Sequence, residues 1–137
     1  MASCKEIMEY RNRNNSFSKY LGIRTTEMEP GFARGEMPVK PEFENAVGSV
    51  HGGCIFTLAD TIGGAAAASH GNRMTTVSSD FHYLSPAIGT SKLYAVAKEI
   101  KHGKTISVYD VEILDDREKL IAKGTFSYFN LGTPILE

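Results

Sequence analysis

Apolar and polar positions follow two different periods along the chain. Within 51–71, four apolar residues recur at helical spacing: Ile55, Leu58, Ala59 and Ile62. This spacing predicts one long helix, with Gly71 as its C-terminal cap. Residues 3–14 predict a second, shorter helix that is mostly polar.

Most of the remaining chain has the pattern of strands. Residues 20–39 predict two strands around a Pro30-Gly31 turn, and residues 40–50 predict a loop. In 74–87 the residues alternate, which puts Val77, Ser79, Phe81 and Tyr83 on one face and Ser78, Asp80 and His82 on the other. Turns at 102–104 and 115–118 separate three further strands. The order of helix, two strands, long helix and four strands predicts an α+β domain whose antiparallel sheet wraps around the long helix.

Composition limits the class of protein. The length of 137 residues suits one domain, and 42% hydrophobic with 23% charged residues is ordinary for a globular chain. A net charge of −1 gives no reason to expect nucleic acid or an anionic membrane as a partner. Cys4 and Cys54 have no paired spacing, so we expect reduced thiols and no metal site. With neither a signal-peptide core nor an apolar run of about 20 residues, a soluble cytoplasmic domain is expected.

The glycines of the long helix need an explanation, because each costs about 1 kcal/mol relative to alanine. Gly63 and Gly64 precede a run of alanines, so close packing is the favoured interpretation, against either the sheet or a second subunit. Gly52 and Gly53 fall at the helix start, where free N–H groups and the helix dipole favour negative charge. That pair suits an oxyanion hole or a tight turn, and spacing alone does not separate the two.

Asp60 lies among apolar residues of the same helix. An unpaired buried carboxylate costs several kcal/mol, so Asp60 either points outward or lines a cleft or subunit contact together with Thr57 and Gly64. Gly52 is eight positions away, or about 12 Å along a helix axis. Asp60 therefore cannot act at the N-terminus of its own helix, whereas two antiparallel copies related by a two-fold axis would bring Gly52 of one chain near Asp60 of the other.

Two neighbouring residues keep alternative roles. His51 either polarises a ligand carbonyl or caps the helix, and the structural role is favoured. Asn45 either holds the preceding loop through side-chain hydrogen bonds or donates its amide to a ligand.

These residues together resemble a known family. Asn45, the "GSVHGG" segment, Asp60 and the strand "VSSDFHYLSPA" are similar to the hotdog-fold acyl-CoA thioesterases, in their phenylacetate-pathway (PaaI-like) branch, over roughly residues 15 to 130. The resemblance implies a single hotdog domain over 1–137, with an N-terminal helix in 1–15 and a long central helix wrapped by about five to six antiparallel strands. It also implies a homodimer at minimum, a homotetramer as the expected assembly, and no cofactor besides the coenzyme A of the substrate.

The resemblance assigns roles by position. Asp60 matches the catalytic carboxylate, and Gly52 matches the residue whose N–H binds the thioester oxygen. Asn45 lies in the matching pocket, His51 flanks it, and Ser78 matches a serine that positions water. The substrate and coenzyme A are expected at Gly53, Thr61, Ser85, His102, Gly103, Lys104 and Thr105. Lys104 could instead be a solvated turn residue.

The expected reaction is hydrolysis of an acyl-CoA thioester, with Asp60 of the partner chain as general base or as nucleophile. The helix carries no glutamate, which fits the branch that uses aspartate. The rivals are a non-catalytic acyl-CoA-binding module and a hydratase or dehydratase. Four aromatic residues could line an acyl pocket, although core packing is favoured for each: Phe43, Phe56, Phe81 and Tyr83.

Overall fold

The computed structural model describes residues 1–136, and Glu137, with which the expected domain range ends, lies outside the described residues. The helices are α1 (Cys4–Asn14), α2 (Ser16–Tyr20) and α3 (Gly52–Ala68), with a 3-10 turn at Pro41–Phe43. The strands are β1 (Arg24–Glu29), β2 (Phe32–Pro38), β3 (Asn72–Tyr83), β4 (Lys92–His102), β5 (Ile106–Asp115) and β6 (Leu120–Pro134).

All six strands form one curved antiparallel sheet in the order β1-β2-β4-β5-β6-β3. α3 contacts every strand, so the predicted hotdog architecture is confirmed. The predicted order of elements is also confirmed, apart from α2. Its five residues are too few to show a helical period.

The inner face of α3 forms the centre of the core. Leu58, Ile62 and Ala66 are fully buried, because the curved sheet covers this face of the helix. Gly35 of β2 makes the approach possible, since a Cβ there would collide with Cδ1 of Ile62. The helix ends at Ala68, and the predicted cap Gly71 follows with φ of +107°, its N–H donating to the Ala68 oxygen at 2.9 Å.

β-bulges in β3 and β4 change which side chains share a face. In β3, Thr76 pairs with Tyr128, and Ser78 pairs with the adjacent residue of β6, Ser127. Val77 is therefore an extra residue that the pairing skips. The alternation predicted from the sequence is therefore wrong at Val77, and Thr76 rather than Val77 shares the helix-facing side with Ser79. In β4, Ile100 is skipped in the same way, between Glu99 and Lys101.

Two observations bear on the predicted location. Cys4 and Cys54 are both free thiols. Within residues 1–136, no helix combines the length and hydropathy needed to cross a membrane. The cytoplasmic location stays a prediction from the sequence.

Candidate active site

The Asp60 side chain is half-buried and is held by two hydroxyl groups. Thr76 Oγ1 of β3 donates to Asp60 Oδ1 at 2.8 Å. The hydroxyl of Tyr128, on β6, shares its proton between the Asp60 main-chain oxygen at 3.0 Å and Oδ1 at 3.2 Å. Both hydroxyls donate to Asp60 Oδ1, so they hold the side chain in a fixed position.

Arg11 of α1 lies on the same side of α3. Its Nη2 donates to the Thr61 main-chain oxygen at 3.1 Å, and its Nε is a buried donor without an acceptor among the described residues. Burial lowers the pKa of Arg11, whereas nearby Tyr128 and Asp60 raise it. Gly64 makes room for the guanidinium, since a Cβ there would lie 3.3 Å from Nη2.

A cleft of about 270 Å³ opens beside these groups. Its lining includes Thr57, Asp60 and Gly64, so the polar strip predicted along the helix does line a cleft. Thr61 also lines it, although the Thr61 hydroxyl already pairs with Ser18 Oγ at 2.7 Å. The opposite wall comes from β3, at Met74, Thr75 and Thr76.

The start of α3 is capped by His51. Its Nδ1 accepts the Gly53 N–H at 2.8 Å, so the capping role favoured from the sequence is confirmed. The Gly53 N–H is therefore bonded within the cap and is not free to bind a ligand. The Gly52 N–H, by contrast, has no acceptor within residues 1–136. Because Nδ1 accepts, a neutral His51 ring carries its proton on Nε2, where it can donate to a ligand.

Gly52 borders a second cavity, of about 300 Å³. Tyr83 closes one side by donating its hydroxyl to the Gly52 oxygen at 2.9 Å, and a Cβ on Gly52 would lie 3.3 Å from the Tyr83 ring. The expectation of core packing is therefore wrong for Tyr83, which is 53% exposed. It holds for the other three aromatics: Phe43 is buried, while Phe56 and Phe81 pack against Phe126.

Asn45 and Ser85 line the same cavity. Asn45 Oδ1 accepts the N–H groups of Val47 and Ser49, each at 3.0 Å, and Nδ2 donates to Ser49 Oγ at 2.8 Å. The loop-holding role is confirmed. One amide hydrogen of Asn45 Nδ2 remains for a ligand.

Neither Ser78 nor the turn after β4 lines either of these two cavities. Ser78 pairs with Ser127, whose neighbours Phe126 and Tyr128 are the residues that face α3. Ser78 thus points away from the Asp60 of its own chain. At the turn, His102 stacks on His70, Gly103 donates its N–H to Ser107 Oγ at 3.3 Å, and Lys104 and Thr105 are exposed.

The candidate site residues on α3 therefore fall into two separate groups within one chain. One group, at the start of α3, offers N–H donors; the other, two turns along, offers a carboxylate, and the two line different cavities. This agrees with the separation of about 12 Å expected for eight helical residues. A curved antiparallel sheet wrapped around one long helix defines a protein of the hotdog fold class.

Comparison with known proteins identifies the family. The family model "Thioesterase superfamily" matches residues 47–122. The Escherichia coli acyl-coenzyme A thioesterase PaaI is 35% identical over 109 residues, covering 80% of this chain and 78% of that protein. The human acyl-coenzyme A thioesterase 13 is 32% identical over 126 residues, covering 89% and 90%.

Solved structures agree with this assignment. The E. coli PaaI protein from the phenylacetic acid degradation operon matches with a TM-score of 0.92 at 30% identity, covering 96% of this chain and 95% of that chain. A Streptococcus mutans protein bound to acetyl CoA matches with a TM-score of 0.77 at 30% identity, covering 82% and 90%. The chain belongs to the thioesterase superfamily, as a PaaI-like hotdog thioesterase. It is a thioester hydrolase.

Sequence reasoning missed three residues that lie beside Asp60: Arg11, Thr76 and Tyr128. An arginine in a mostly polar helix gives no indication of a site. The bulge at Val77 means that strand alternation does not predict which face of the sheet Thr76 lies on. The sequence could have predicted that Tyr128 faces the helix, because Tyr128 and Phe126 lie on the same buried face of β6.

Proposed function

We propose that the protein hydrolyses acyl-CoA thioesters at a site shared by two copies of the chain. The observation that carries the proposal is the pair of half-sites on α3: a Gly52 N–H without an acceptor in residues 1–136 at the helix start, and Asp60, held by two hydroxyl groups, in a separate cleft. The E. coli and human relatives are named acyl-coenzyme A thioesterases, and the S. mutans protein was solved with acetyl CoA, which supports this substrate class.

The edge of the sheet supports a two-fold assembly. β3 lies at one edge, and most of its residues are exposed, including Val77 at 55%. An exposed edge strand of 12 residues offers unpaired N–H and C=O groups to a second copy. Pairing of two β3 strands about a two-fold axis would continue the sheet and set the two α3 helices side by side in opposite directions. Ser78 of one copy could then approach the other copy's cleft, where its water-positioning role stays a prediction.

The half-site at the helix start would bind the thioester carbonyl. The Gly52 N–H and the positive end of the helix dipole stabilise the oxyanion that forms as the carbonyl is attacked. Asn45 lines the same cavity and would donate its remaining amide hydrogen, and the Nε2–H of the neighbouring residue His51 is a further candidate donor.

Asp60 of the partner copy would then act on water. As general base it takes one proton from water while the oxygen bonds to the carbonyl carbon; the C–S bond breaks, and the thiolate of coenzyme A receives the proton. In the alternative route, an Asp60 oxygen bonds to the carbonyl carbon, the C–S bond breaks and coenzyme A leaves as a thiolate. Water then hydrolyses the resulting anhydride to the free acid and Asp60, and the thiolate takes up the proton released. In a single turnover in ¹⁸O-labelled water, label in the Asp60 carboxylate would eliminate the pure general-base route, because it appears only if the anhydride forms.

The remaining expectations are part of the same proposal. Coenzyme A would cross the surface near 102–105, with exposed Lys104 as a phosphate partner, and no further cofactor is required. A tetramer of two such dimers stays a prediction. A hydratase would need a histidine that acts together with Asp60. The first histidine after Asp60 in the chain is His70, which bonds to Glu99 and does not line the cleft, so a hydratase is disfavoured.

Thiol release from short, long and aromatic acyl-CoAs tests the proposal directly. We expect release by the parent protein and a fall in kcat of about 10² to 10⁴ in Asp60→Asn, the range for losing a general base. The matched control is Asp110→Asn, since Asp110 is half-buried on β5 and lies near Lys123 at 3.8 Å. A fully active Asp60→Asn would refute the assignment of Asp60, and no release from any acyl-CoA would favour a binding module.

A further inference from the structure

Three potential metal ligands meet at the far end of α3. His70 follows the last turn of the helix, while Glu99 and His102 come from the end of β4. His70 Nε2 lies 2.7 Å from Glu99 Oε1, and His102 Nδ1 lies 3.9 Å from the same oxygen. The ligand atoms of the three residues all lie within 4.8 Å of one another.

The bulge in β4 creates this grouping. Residues three apart on a regular strand point to opposite faces, so Glu99 and His102 would normally diverge. Because Ile100 is skipped, Glu99 pairs with Tyr109 and His102 with Ser107, and these two partners are both buried on the same face. Bulges commonly re-aim a side chain in this way beside functional sites.

The turn between β1 and β2 holds the group together. The Gly31 N–H donates to Ser69 Oγ at 2.8 Å, next to His70, and the Gly31 oxygen accepts the Glu99 N–H at 2.9 Å. Gly31 has φ of +77°, and a Cβ there would lie 3.0 Å from Glu99 Cδ. This glycine therefore permits the contact that fixes the two ligands relative to each other.

We propose that His70, Glu99 and His102 bind a divalent transition-metal ion, and that the ion fastens the end of α3 to β4. Two imidazoles and a carboxylate match a zinc site with three protein ligands, in which water completes the coordination. A tetrahedral ion at about 2.0 to 2.1 Å from each ligand separates neighbouring ligand atoms by roughly 3.3 Å. Glu99 Oε1 lies 2.7 Å from His70 Nε2 and 3.9 Å from His102 Nδ1, which are distances below and above that value.

The surroundings fit a cation. The Tyr109 hydroxyl donates to Glu99 Oε1 at 3.1 Å, which orients the carboxylate as outer partners do at metal sites. The C-terminal end of α3 carries the negative end of the helix dipole. The two imidazole rings stack at 3.7 Å with 26° between their planes, so coordination requires them to open. His102 has room to turn, because its side chain is 46% exposed.

Zn²⁺ titration of the chelator-stripped, full-length protein by calorimetry tests the site. We expect one Zn²⁺ per chain, together with a rise in Tm that follows Zn²⁺ concentration. His70→Gln and His102→Gln should each weaken binding by at least about tenfold, the loss seen even for outer partners. His82→Gln is the matched control, since His82 is an exposed histidine on β3, and it should bind like the parent.

Three results would overturn the proposal: the absence of saturable binding at one equivalent, unchanged affinity in His102→Gln, or equal loss in His82→Gln. His102→Gln decides the matter if His70→Gln folds poorly, because His102 is the more exposed of the two ligands. Co²⁺ offers an independent spectroscopic signature, as a visible absorption band that should disappear in the same variants. The outcome does not depend on the proposed hydrolysis.

Discussion

The Tyr128 hydroxyl lies 3.0 Å from the main-chain oxygen of Asp60 and 3.2 Å from its carboxylate. One side chain of β6 thus fixes both the backbone and the side chain of the proposed catalytic residue. The sheet that buries the helix also positions the acid. Disturbing this contact should therefore change stability and activity together.

Tyr128→Phe tests the contact. Removing the hydroxyl takes away one of the two donors to Asp60 Oδ1, and loss of a hydrogen bond to a carboxylate should lower the free energy of unfolding by about 1 to 3 kcal/mol. Misplacement of the carboxylate should also lower kcat by about 10- to 100-fold. Denaturant unfolding and thiol release measure the two effects. Tyr94→Phe, on the outer face of the sheet, should change neither; equal effects in both variants would contradict the argument.

Gly63→Ala and Gly64→Ala form a matched pair on adjacent residues. A Cβ on Gly63 would collide with the Tyr128 hydroxyl, whereas a Cβ on Gly64 would lie 3.3 Å from Arg11 Nη2 and 3.7 Å from the Tyr128 ring, without a collision. Gly63→Ala should destabilise the protein by about 1 to 3 kcal/mol despite its better helix propensity. Gly64→Ala should stay within about 1 kcal/mol of the parent. Thermal unfolding measures both, and the reverse order would show that the glycines serve another purpose.

Mixing two inactive variants tests whether the site is shared between chains. Gly52→Val blocks the donor half, and Asp60→Asn removes the acid half. If the halves meet across a two-fold axis, each mixed dimer contains one site with both halves intact. Co-refolding equal amounts should restore about a quarter of parental activity in thiol release. Activity that stays at the level of the separate variants would place the whole site within one chain.

Alkaline unfolding should depend on two buried tyrosines. Burial raises the pKa of Tyr109, as does nearby Glu99, and burial raises the pKa of Tyr128 well above its usual value, as does Asp60. Their contribution to stability is fully present below pH 10, about the pKa of tyrosine in the unfolded chain. It is lost as the pH rises further, because only the unfolded chain releases these protons.

Absorbance of the phenolate form, read beside circular dichroism, checks this expectation. The last part of the absorbance change should coincide with unfolding. In Tyr128→Phe this last part should be smaller by the absorbance of one phenolate. Complete ionisation of all six tyrosines in a still-folded protein would contradict it.

Much of the architecture could be predicted because its signals are local. The long helix follows from the spacing of Ile55, Leu58 and Ile62, and the turns from short polar segments. The bulges at Val77 and Ile100 could not be predicted, because a bulge is defined by how two distant strands pair. One skipped residue reverses the face of each residue that follows it, which is why Thr76, and not Ser78, reaches Asp60.

The sequence by itself determined the helix, the placement of an acid two turns after a glycine-rich start, and the membership of a family. Only the tertiary structure decided what holds that acid. Its partners Thr76 and Tyr128 lie 16 and 68 positions away along the chain. Helical periodicity reports on neighbours within a few residues, whereas these contacts form only when the sheet closes over the helix and brings distant hydroxyls to one carboxylate.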